Sequence, residues 1–257
     1  MRNYTENSSN SSMHIVIFTG GNYPTPEISL NYWKQVSKPA FIIAADSGLC
    51  TCRLYKKYFM EKTDLPDFSP DMILGDMDSL PEKSLLSEYS EQIIQRSNPY
   101  KDFTDTEIAI DFAVKKAAAL HKTPFITLIG GDGGRIDHLI GIYDMFSTPA
   151  HPSVWLCSVQ AVWFAAAGTE FNIKDVTPED KISISRLTAA RKGGKITSTG
   201  LEWENPLFRT EGMPSISNRI SEKNYKLQDP VRIVFSEGNF IMMLPYTASV
   251  TFRKTEN

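Results

Sequence analysis

The first part of the chain alternates short apolar runs with segments of helical composition. The apolar runs cover residues 14–18, 41–45, 72–74 and 125–129. Each is too short for a helix, and glycine or aspartate follows soon after, so we predict a buried strand at each. Strands that alternate with helices favour an α/β layer with a largely parallel sheet.

Three segments carry the signals of a helix start. Thr25 stands directly before a proline, which is typical of the first turn of a helix. Ser79 and Glu82 have the spacing of a capping box, and so do Thr104 and Glu107. We therefore expect helices to begin close to residues 25, 79 and 104.

The pattern changes near residues 147–152, where two prolines stand in a short polar run. Beyond this run, strand-like segments are separated by Gly, Pro and Asn. These segments are 154–156, 162–164, 181–184, 231–235 and 240–244. Residues 236–239 predict a hairpin turn between the last two strands. The second half therefore reads as an all-β domain, a small sandwich.

These patterns predict a domain organisation. We expect a polar, disordered tail over residues 1–12 because its Ser/Asn run cannot pack into a core. We expect an α/β domain over residues 13–148 and a β domain over residues 149–257.

Composition narrows the classes of function. The 27 basic and 30 acidic residues give a net charge of −3, which disfavours a general nucleic-acid-coating role. The three cysteines include no Cys-x-x-Cys pair, so we expect reduced thiols in a cytoplasmic protein. No apolar run approaches the ~20 residues that span a bilayer, and none follows Arg2 as in a secretory signal. We expect neither a nucleic-acid nor a membrane partner.

Aspartates recur near the ends of the predicted strands. Asp46 follows the second run, Asp76 and Asp78 follow the third, and Asp102 and Asp105 open a helix. In an open α/β sheet, ligands bind at the carboxyl ends of the strands. Carboxylates that converge there repel one another unless a cation lies between them, and Mg²⁺ binds through carboxylates and substrate phosphates. The sequence therefore predicts a magnesium–polyphosphate site.

Simpler local roles exist for some of these residues. Asp105 and Ser79 have the character of helix caps, and Asp46 before Gly48 has that of a turn residue. A lone Asp-x-Asp also occurs by chance. The recurrence of acids at separate strand ends favours function, most clearly for Asp76 and Asp78.

A glycine-rich segment, residues 130–134, follows the apolar run 125–129. Consecutive glycines let backbone N–H groups approach a phosphate, and Arg135 can form a forked contact with its oxygens. The simpler interpretation is a loop with a solvated arginine. The segment has neither the Gly-Lys-Ser/Thr of a P-loop nor the Gly-x-Gly-x-x-Gly of a dinucleotide fold, so both of those enzyme classes are disfavoured. His138 is a candidate for proton transfer, and equally for orienting Asp137 or for capping a helix.

Taken in order, these segments resemble the thiamine pyrophosphokinase family. The matching segments are 45–48, 75–79, 102–105, 133–138, 200–203, 206–207, 215–218 and the Gly238 turn. The resemblance implies a Rossmann-like α/β catalytic domain, then a β-sandwich that binds thiamine, in a homodimer. It also implies transfer of the pyrophosphoryl group of ATP to the hydroxyl of thiamine, which gives thiamine diphosphate and AMP.

The resemblance further implies roles for individual residues. Catalytic roles fall to Asp76, Asp78, Asp102 and Asp105. Magnesium binding falls to Asp46, Asp76, Asp78 and Asp102. Binding of ATP and its phosphates falls to Asp46, Ser47, Gly48, Gly133, Gly134, Arg135, Asp137 and His138. Ser217 and Asn218 would contact thiamine across the dimer interface. Spacing alone does not decide which aspartate takes the alcohol proton; Asp102 is one candidate.

Some features leave alternatives open. Ser47 stands where the family usually has glycine, and it fits only if the backbone there does not need positive φ. Trp155, Trp163 and Trp203 are candidates to stack on thiamine, with core or interface packing as the other interpretation. The alternative functions are another Asp/Mg-dependent phosphotransferase or phosphohydrolase, and a non-catalytic nucleotide sensor.

Overall fold

A computed structural model describes residues 11–62, 67–96, 102–187, 193–204 and 208–255. The chain divides into two compact units; the first ends at Ser158 and the second begins at Val159. Residues 1–10 of the predicted tail lie outside the described residues, as do residues 206–207. Within the described ranges, no helix has both the length and the apolar character needed to cross a membrane.

The first unit contains a parallel sheet, as the sequence predicts. Its strands are β1 (Ser12–Phe18), β2 (Phe41–Ala45), β3 (Met72–Gly75), β4 (Ile94–Arg96), β5 (Thr123–Ile129) and β6 (Val154–Leu156). They pair in parallel in the order β6-β5-β1-β2-β3-β4. The central strand β1 is buried along almost its whole length, as expected where a parallel sheet is covered on both faces.

Four helices connect these strands. They are α1 (Pro26–Gln35), α2 (Gly48–Lys62), α3 (Asp105–Ala119) and α4 (Ile136–Met145). Two predicted starts are confirmed: the Thr25 side chain accepts a hydrogen bond from the Ile28 amide, and Thr104 and Glu107 form a complete capping box. The box satisfies two backbone donors that a helix start otherwise leaves without partners.

The helix start predicted at Ser79 is wrong. A 3-10 helix covers Lys83–Glu88 instead, and Glu82, the residue before it, makes no side-chain capping hydrogen bond. The Ser79 hydroxyl donates to Asp78 Oδ1 at 2.9 Å, so it is engaged with a carboxylate at the strand end rather than with helix amides. The local spacing resembled a capping box, but the neighbouring acid changed the partner.

The second unit is built from antiparallel strands. They are β7 (Ala161–Ala165), β8 (Thr169–Lys174), β9 (Ile182–Arg186), β10 (Lys195–Thr199), β11 (Ser215–Asn218), β12 (Val231–Glu237), β13 (Phe240–Leu244) and β14 (Ser249–Lys254). The odd-numbered strands pair in the order β11-β9-β13-β7 and the even-numbered strands in the order β10-β12-β8-β14. Successive strands therefore alternate between two sets. A short helix, α5 (Glu222–Leu227), shows that this half is not all β.

The predicted hairpin at residues 236–239 is wrong because β12 and β13 do not pair. β12 pairs with β10 and β8, whereas β13 pairs with β7 and β9. Gly238 has a φ of 77°, so the chain does turn there. The Leu187 amide then donates to the Asn239 carbonyl at 3.0 Å, which starts β13 beside β9. Residues 236–239 thus predict a turn that is present, but turn residues carry no information on which strands pair.

Candidate active site

The order of strands places two loops side by side. From β1 the chain runs outward through β2, β3 and β4, and then returns to β5 on the other side of β1. Such a reversal opens a crevice at the carboxyl ends of the strands, where ligands bind in open α/β sheets. The loops after β1 and β5 meet here so closely that a side chain on Gly130 would lie 2.5 Å from the Thr19 carbonyl oxygen.

A cavity of about 490 Å³ occupies this edge of the first unit. Nine of the residues to which the resemblance assigns catalytic, magnesium or ATP roles line it: Asp46, Ser47, Asp76, Asp78, Asp105, Gly133, Gly134, Arg135 and His138. Three others, Gly48, Asp102 and Asp137, are not among the lining residues. Gly48 instead begins α2, and a side chain there would collide with the carbonyl of Phe18.

Three carboxylates converge in the cavity. Asp46, Asp76 and Asp105 each offer an oxygen, and these oxygens lie within 4.8 Å of one another. Asp46 and Asp76 directly follow β2 and β3, and Asp105 is the first residue of α3. Gly75 permits this approach, because a side chain on it would lie 3.2–3.3 Å from atoms of both Asp46 and Asp105.

The Asp46 carboxylate is only partly compensated by hydrogen bonds. Its Oδ1 atom is buried and has no hydrogen-bond partner in the described part of the chain. Burial raises the pKa of Asp46; hydrogen bonds from Ser79 and from the Ser47 backbone lower it, and the charges of Asp105 and Asp78 raise it further. A buried oxygen of this kind, within a set of carboxylates, matches the hard oxygen ligands of Mg²⁺. The residues present therefore fit a divalent cation.

The observed carboxylate group differs from the magnesium set that the sequence suggested. Both contain Asp46 and Asp76, but the third member of the observed group is Asp105. Asp78 lines the cavity outside this group; its amide donates to Asp76 Oδ1 at 3.2 Å. Asp102 is exposed and also lies outside the group.

The glycine-rich loop brings Arg135 to the cavity. The Arg135 guanidinium donates to Asp137, with Nη2–Oδ2 at 2.5 Å and Nε–Oδ1 at 3.2 Å. The hydrogen bond from Arg135 lowers the pKa of Asp137 to about 2. Arg135 also precedes α4 and provides no side-chain cap for it. The cavity is thus lined by a cation that stands directly before a helix N-terminus, and both features attract anions.

The residues suggested for thiamine lie in the second unit. Asn218 is fully buried, and its amide is engaged within the protein. Its Nδ2 donates to the Trp203 carbonyl and to Ser215 Oγ, while its Oδ1 accepts from the amides of Trp203 and Arg219. Ser217 is exposed and has a φ of 55°, which is uncommon for a residue other than glycine. Asn218 therefore fixes the backbone around an exposed Ser217.

The three tryptophan candidates differ in exposure. Trp155 and Trp163 are buried, and the Trp155 indole donates to the Gly130 carbonyl at 2.6 Å. Trp203 is 45% exposed, and the Arg219 guanidinium lies 5.6 Å from its ring centroid. Of the three, only Trp203 is exposed to solvent.

Sequence reasoning missed several residues that line the cavity. They include Thr19, Gly20, Gly21, Phe103 and Thr106. Gly20 and Gly21 could have been found, because they follow a strand in the same way as the loop after β5. Ser47 is not among the residues with positive φ, and a side chain on Gly20 would collide with its hydroxyl. The departure at Ser47 is thus accommodated by a glycine in the facing loop.

The fold and the site define a class of protein: an α/β protein in which a group of carboxylates lies beside a glycine-rich loop and an arginine at the carboxyl ends of parallel strands. Residues 31–156 match the family model described as "Thiamin pyrophosphokinase, catalytic domain". Residues 31–156 therefore form a catalytic domain of the thiamin pyrophosphokinase family.

Solved structures are similar to this chain in fold. Thiamin pyrophosphokinase from Candida albicans is 16% identical, with 91% of this chain and 92% of that chain covered and a TM-score of 0.62. The enzyme from Bacillus subtilis is 19% identical, with 91% and 98% covered and a TM-score of 0.61. That from Geobacillus thermodenitrificans is 23% identical, with 91% and 97% covered and a TM-score of 0.59. Among curated proteins, none matches this chain significantly by sequence.

Proposed function

We propose that this protein transfers the pyrophosphoryl group of ATP to the hydroxyl of thiamine, giving thiamine diphosphate and AMP. One observation carries the proposal. In a domain that matches the catalytic-domain model of this family, three carboxylates converge beside a glycine-rich loop and an arginine. This arrangement suits a magnesium-bound polyphosphate.

The carboxylate group would hold Mg²⁺ through Asp46, Asp76 and Asp105. When bound, the cation would neutralise charge on the phosphate oxygens and on the departing AMP. The chain's own contribution is to bind the triphosphate: Arg135 and the amides near Gly133 and Gly134 would hold its oxygens. Ser47, beside the same cavity, is a further candidate contact.

The reaction requires an exchange of bonds at the β-phosphorus. The hydroxyl oxygen of thiamine forms the new bond, the bond to the oxygen that bridges to the α-phosphorus breaks, and AMP leaves with that electron pair. The hydroxyl proton must go to a base or to solvent. Asp78, which lines the cavity, and Asp102, which stands next to the lining residue Phe103, are the candidates to position the hydroxyl or accept its proton.

The second unit would supply the thiamine site. Ser217 is exposed, and the buried Asn218 holds its neighbours in place. We propose Ser217 as a contact to thiamine, Asn218 as the residue that shapes this contact, and Trp203 as the stacking surface. The family resemblance further suggests that the first unit is a Rossmann-like domain, that the second is a β-sandwich, and that the protein is a homodimer in which the partner completes the site.

A product assay tests the function. Purified protein is incubated with ATP, Mg²⁺ and thiamine, and the nucleotides are separated by chromatography. AMP and thiamine diphosphate should form in equal amounts and only when thiamine is present. Equal AMP without thiamine would indicate a phosphohydrolase, and ADP as the sole nucleotide product would indicate an ordinary kinase; either result contradicts the proposal.

A further inference from the structure

Asp132 differs from its neighbours in the glycine-rich loop. Gly131, Gly133 and Gly134 line the cavity, as does Arg135, but Asp132 does not. Its Oδ2 atom accepts two hydrogen bonds from Ser158, from the amide at 2.9 Å and from the hydroxyl at 2.6 Å. The loop thus presents glycines to the cavity, while its one acidic side chain is held by Ser158, outside the cavity.

Two further hydrogen bonds tie the start of the loop to β6. The Gly130 amide donates to the Leu156 carbonyl at 3.2 Å, and the Trp155 indole donates to the Gly130 carbonyl at 2.6 Å. Residues 130–132 are therefore attached to the strand β6 and to Ser158, two residues beyond its end. Farther along the loop, Gly133 packs against the Asn22 side chain, whereas a side chain on Gly134 would meet nothing within 4 Å.

The attachment has an electrostatic cost. Asp132 Oδ1 is buried without a hydrogen-bond partner among the described residues, and burying such an oxygen is unfavourable. A negative side chain is also unfavourable in a loop that receives phosphate, unless that side chain is turned away from the phosphate. The two hydrogen bonds from Ser158 turn it away and offset part of the cost.

We propose that Asp132 and Ser158 are positioning residues that hold the glycine-rich loop in the conformation that receives the triphosphate. A loop that is already ordered loses less conformational entropy when ATP binds, so the attachment raises affinity without touching the nucleotide. This inference rests on the proposed function for its ligand. It assigns a role to two residues that contribute no atom to the cavity surface.

Binding of Mg-ATP in the absence of thiamine, measured by isothermal titration calorimetry, tests the proposal. Asp132→Ala should weaken binding about tenfold, because it removes two hydrogen bonds to a charged group. Asp132→Asn keeps an oxygen for Ser158, so its Kd should stay within about twofold of wild type. Ser158→Ala should weaken binding and Ser158→Thr, which keeps the hydroxyl, should restore it. Asp144→Ala, a change at an exposed acid on α4, is the matched control and should bind like wild type.

Two readouts separate positioning from general stability. Asp132→Ala should raise the KM for ATP while the KM for thiamine stays close to wild type. Hydrogen exchange of the amides 131–134 should accelerate in Asp132→Ala even without nucleotide. Unchanged exchange and an unchanged Kd for Mg-ATP would overturn the proposal, and so would an equal loss in Asp132→Asn. Because exchange needs no ligand, this result is independent of whether the wild-type protein makes AMP.

Discussion

The hydroxyl groups of Thr19 and Thr106 lie 2.6 Å apart and form a buried hydrogen bond between residues 87 positions apart in the chain. Thr19 follows β1, and Thr106 is the second residue of α3, directly after Asp105. The contact therefore fixes the start of α3 against the central strand of the sheet. Because Asp105 completes the carboxylate group, this hydrogen bond also determines where that group's third oxygen lies.

Removing this hydrogen bond should weaken the metal site. Thr106→Val keeps the shape of the side chain but leaves the Thr19 hydroxyl without its partner, which should cost about 1–3 kcal/mol in the free energy of unfolding. The Mg²⁺ concentration needed for half-maximal activity should rise. Thr106→Ser keeps the hydroxyl and should behave nearly like wild type. Urea denaturation and magnesium titrations measure both effects; identical titrations for Val and Ser would contradict the role given to this contact.

The carboxylate group predicts that Asp76→Asn and Asp105→Asn lose activity while the protein stays folded. Each change removes one negative ligand, so turnover should fall by about 100-fold or more. Without metal, the melting temperature should not fall, because the change also removes repulsion among close carboxylates. The AMP assay measures turnover, and scanning calorimetry without metal measures the melting temperature, each beside the exposed control Asp144→Asn. Wild-type turnover in Asp105→Asn would exclude it as a metal ligand.

Arg135→Lys should weaken binding of ATP without destabilising the fold. Lysine keeps the charge but cannot make the planar forked contact, so the KM for ATP should rise about tenfold. The Arg135 and Asp137 side chains are 70% and 62% exposed, and exposed ion pairs contribute little to stability, so the melting temperature should stay the same. Steady-state kinetics with ATP varied at saturating thiamine measures the change. A rise confined to the KM for thiamine would contradict this assignment.

His14 predicts a loss of stability at acid pH. The ring is buried; its Nδ1 lies 2.6 Å from the Ser37 carbonyl and its Nε2 lies 2.9 Å from Thr127 Oγ1, which also contacts the Tyr32 hydroxyl. Burial lowers the pKa of His14 from 6.5 to about 4, while the hydrogen bond to Ser37 opposes this shift. As the pH falls, His14 therefore takes up a proton at a higher pH in the unfolded chain than in the folded protein.

This difference in the pKa of His14 between the folded and unfolded states lowers the free energy of unfolding at acid pH. Stability should be full above pH 6.5 and should fall as the pH drops from 6.5 to about 4, by about 3 kcal/mol in total from this group. Urea denaturation at several pH values measures the slope. His14→Gln cannot titrate and should show a smaller slope in this window. The same slope in both proteins would mean that other groups cause the acid sensitivity.

Much of the first unit could be predicted because its signals are local. Strand positions followed from short apolar runs, and two helix starts followed from a proline and a capping box. The convergence of acids at strand ends followed from the geometry of parallel sheets. These inferences need only a few adjacent residues and one general rule of topology.

The membership of the carboxylate group could not be predicted in the same way. The capping box at Thr104 predicts that Asp105 begins α3, but no local signal shows which of Asp102 and Asp105 carries its carboxylate to the strand ends. The Thr19–Thr106 contact has no local signal at all, since it joins distant segments. At Ser79 a local signal was present but wrong. Its spacing to Glu82 is that of a capping box, whereas its hydroxyl donates to the Asp78 carboxylate.

The alternation of strands β7 to β14 between two sets has a consequence for how the second unit forms. Among the described residues, no two consecutive strands of this unit pair. A strand therefore cannot form its hydrogen bonds with the strand that directly precedes it in the sequence. Every ladder must wait until a longer stretch of chain has closed into a loop, which lowers the rate of folding. We expect this half to acquire its protected amides later during refolding than the half that contains α1 to α4.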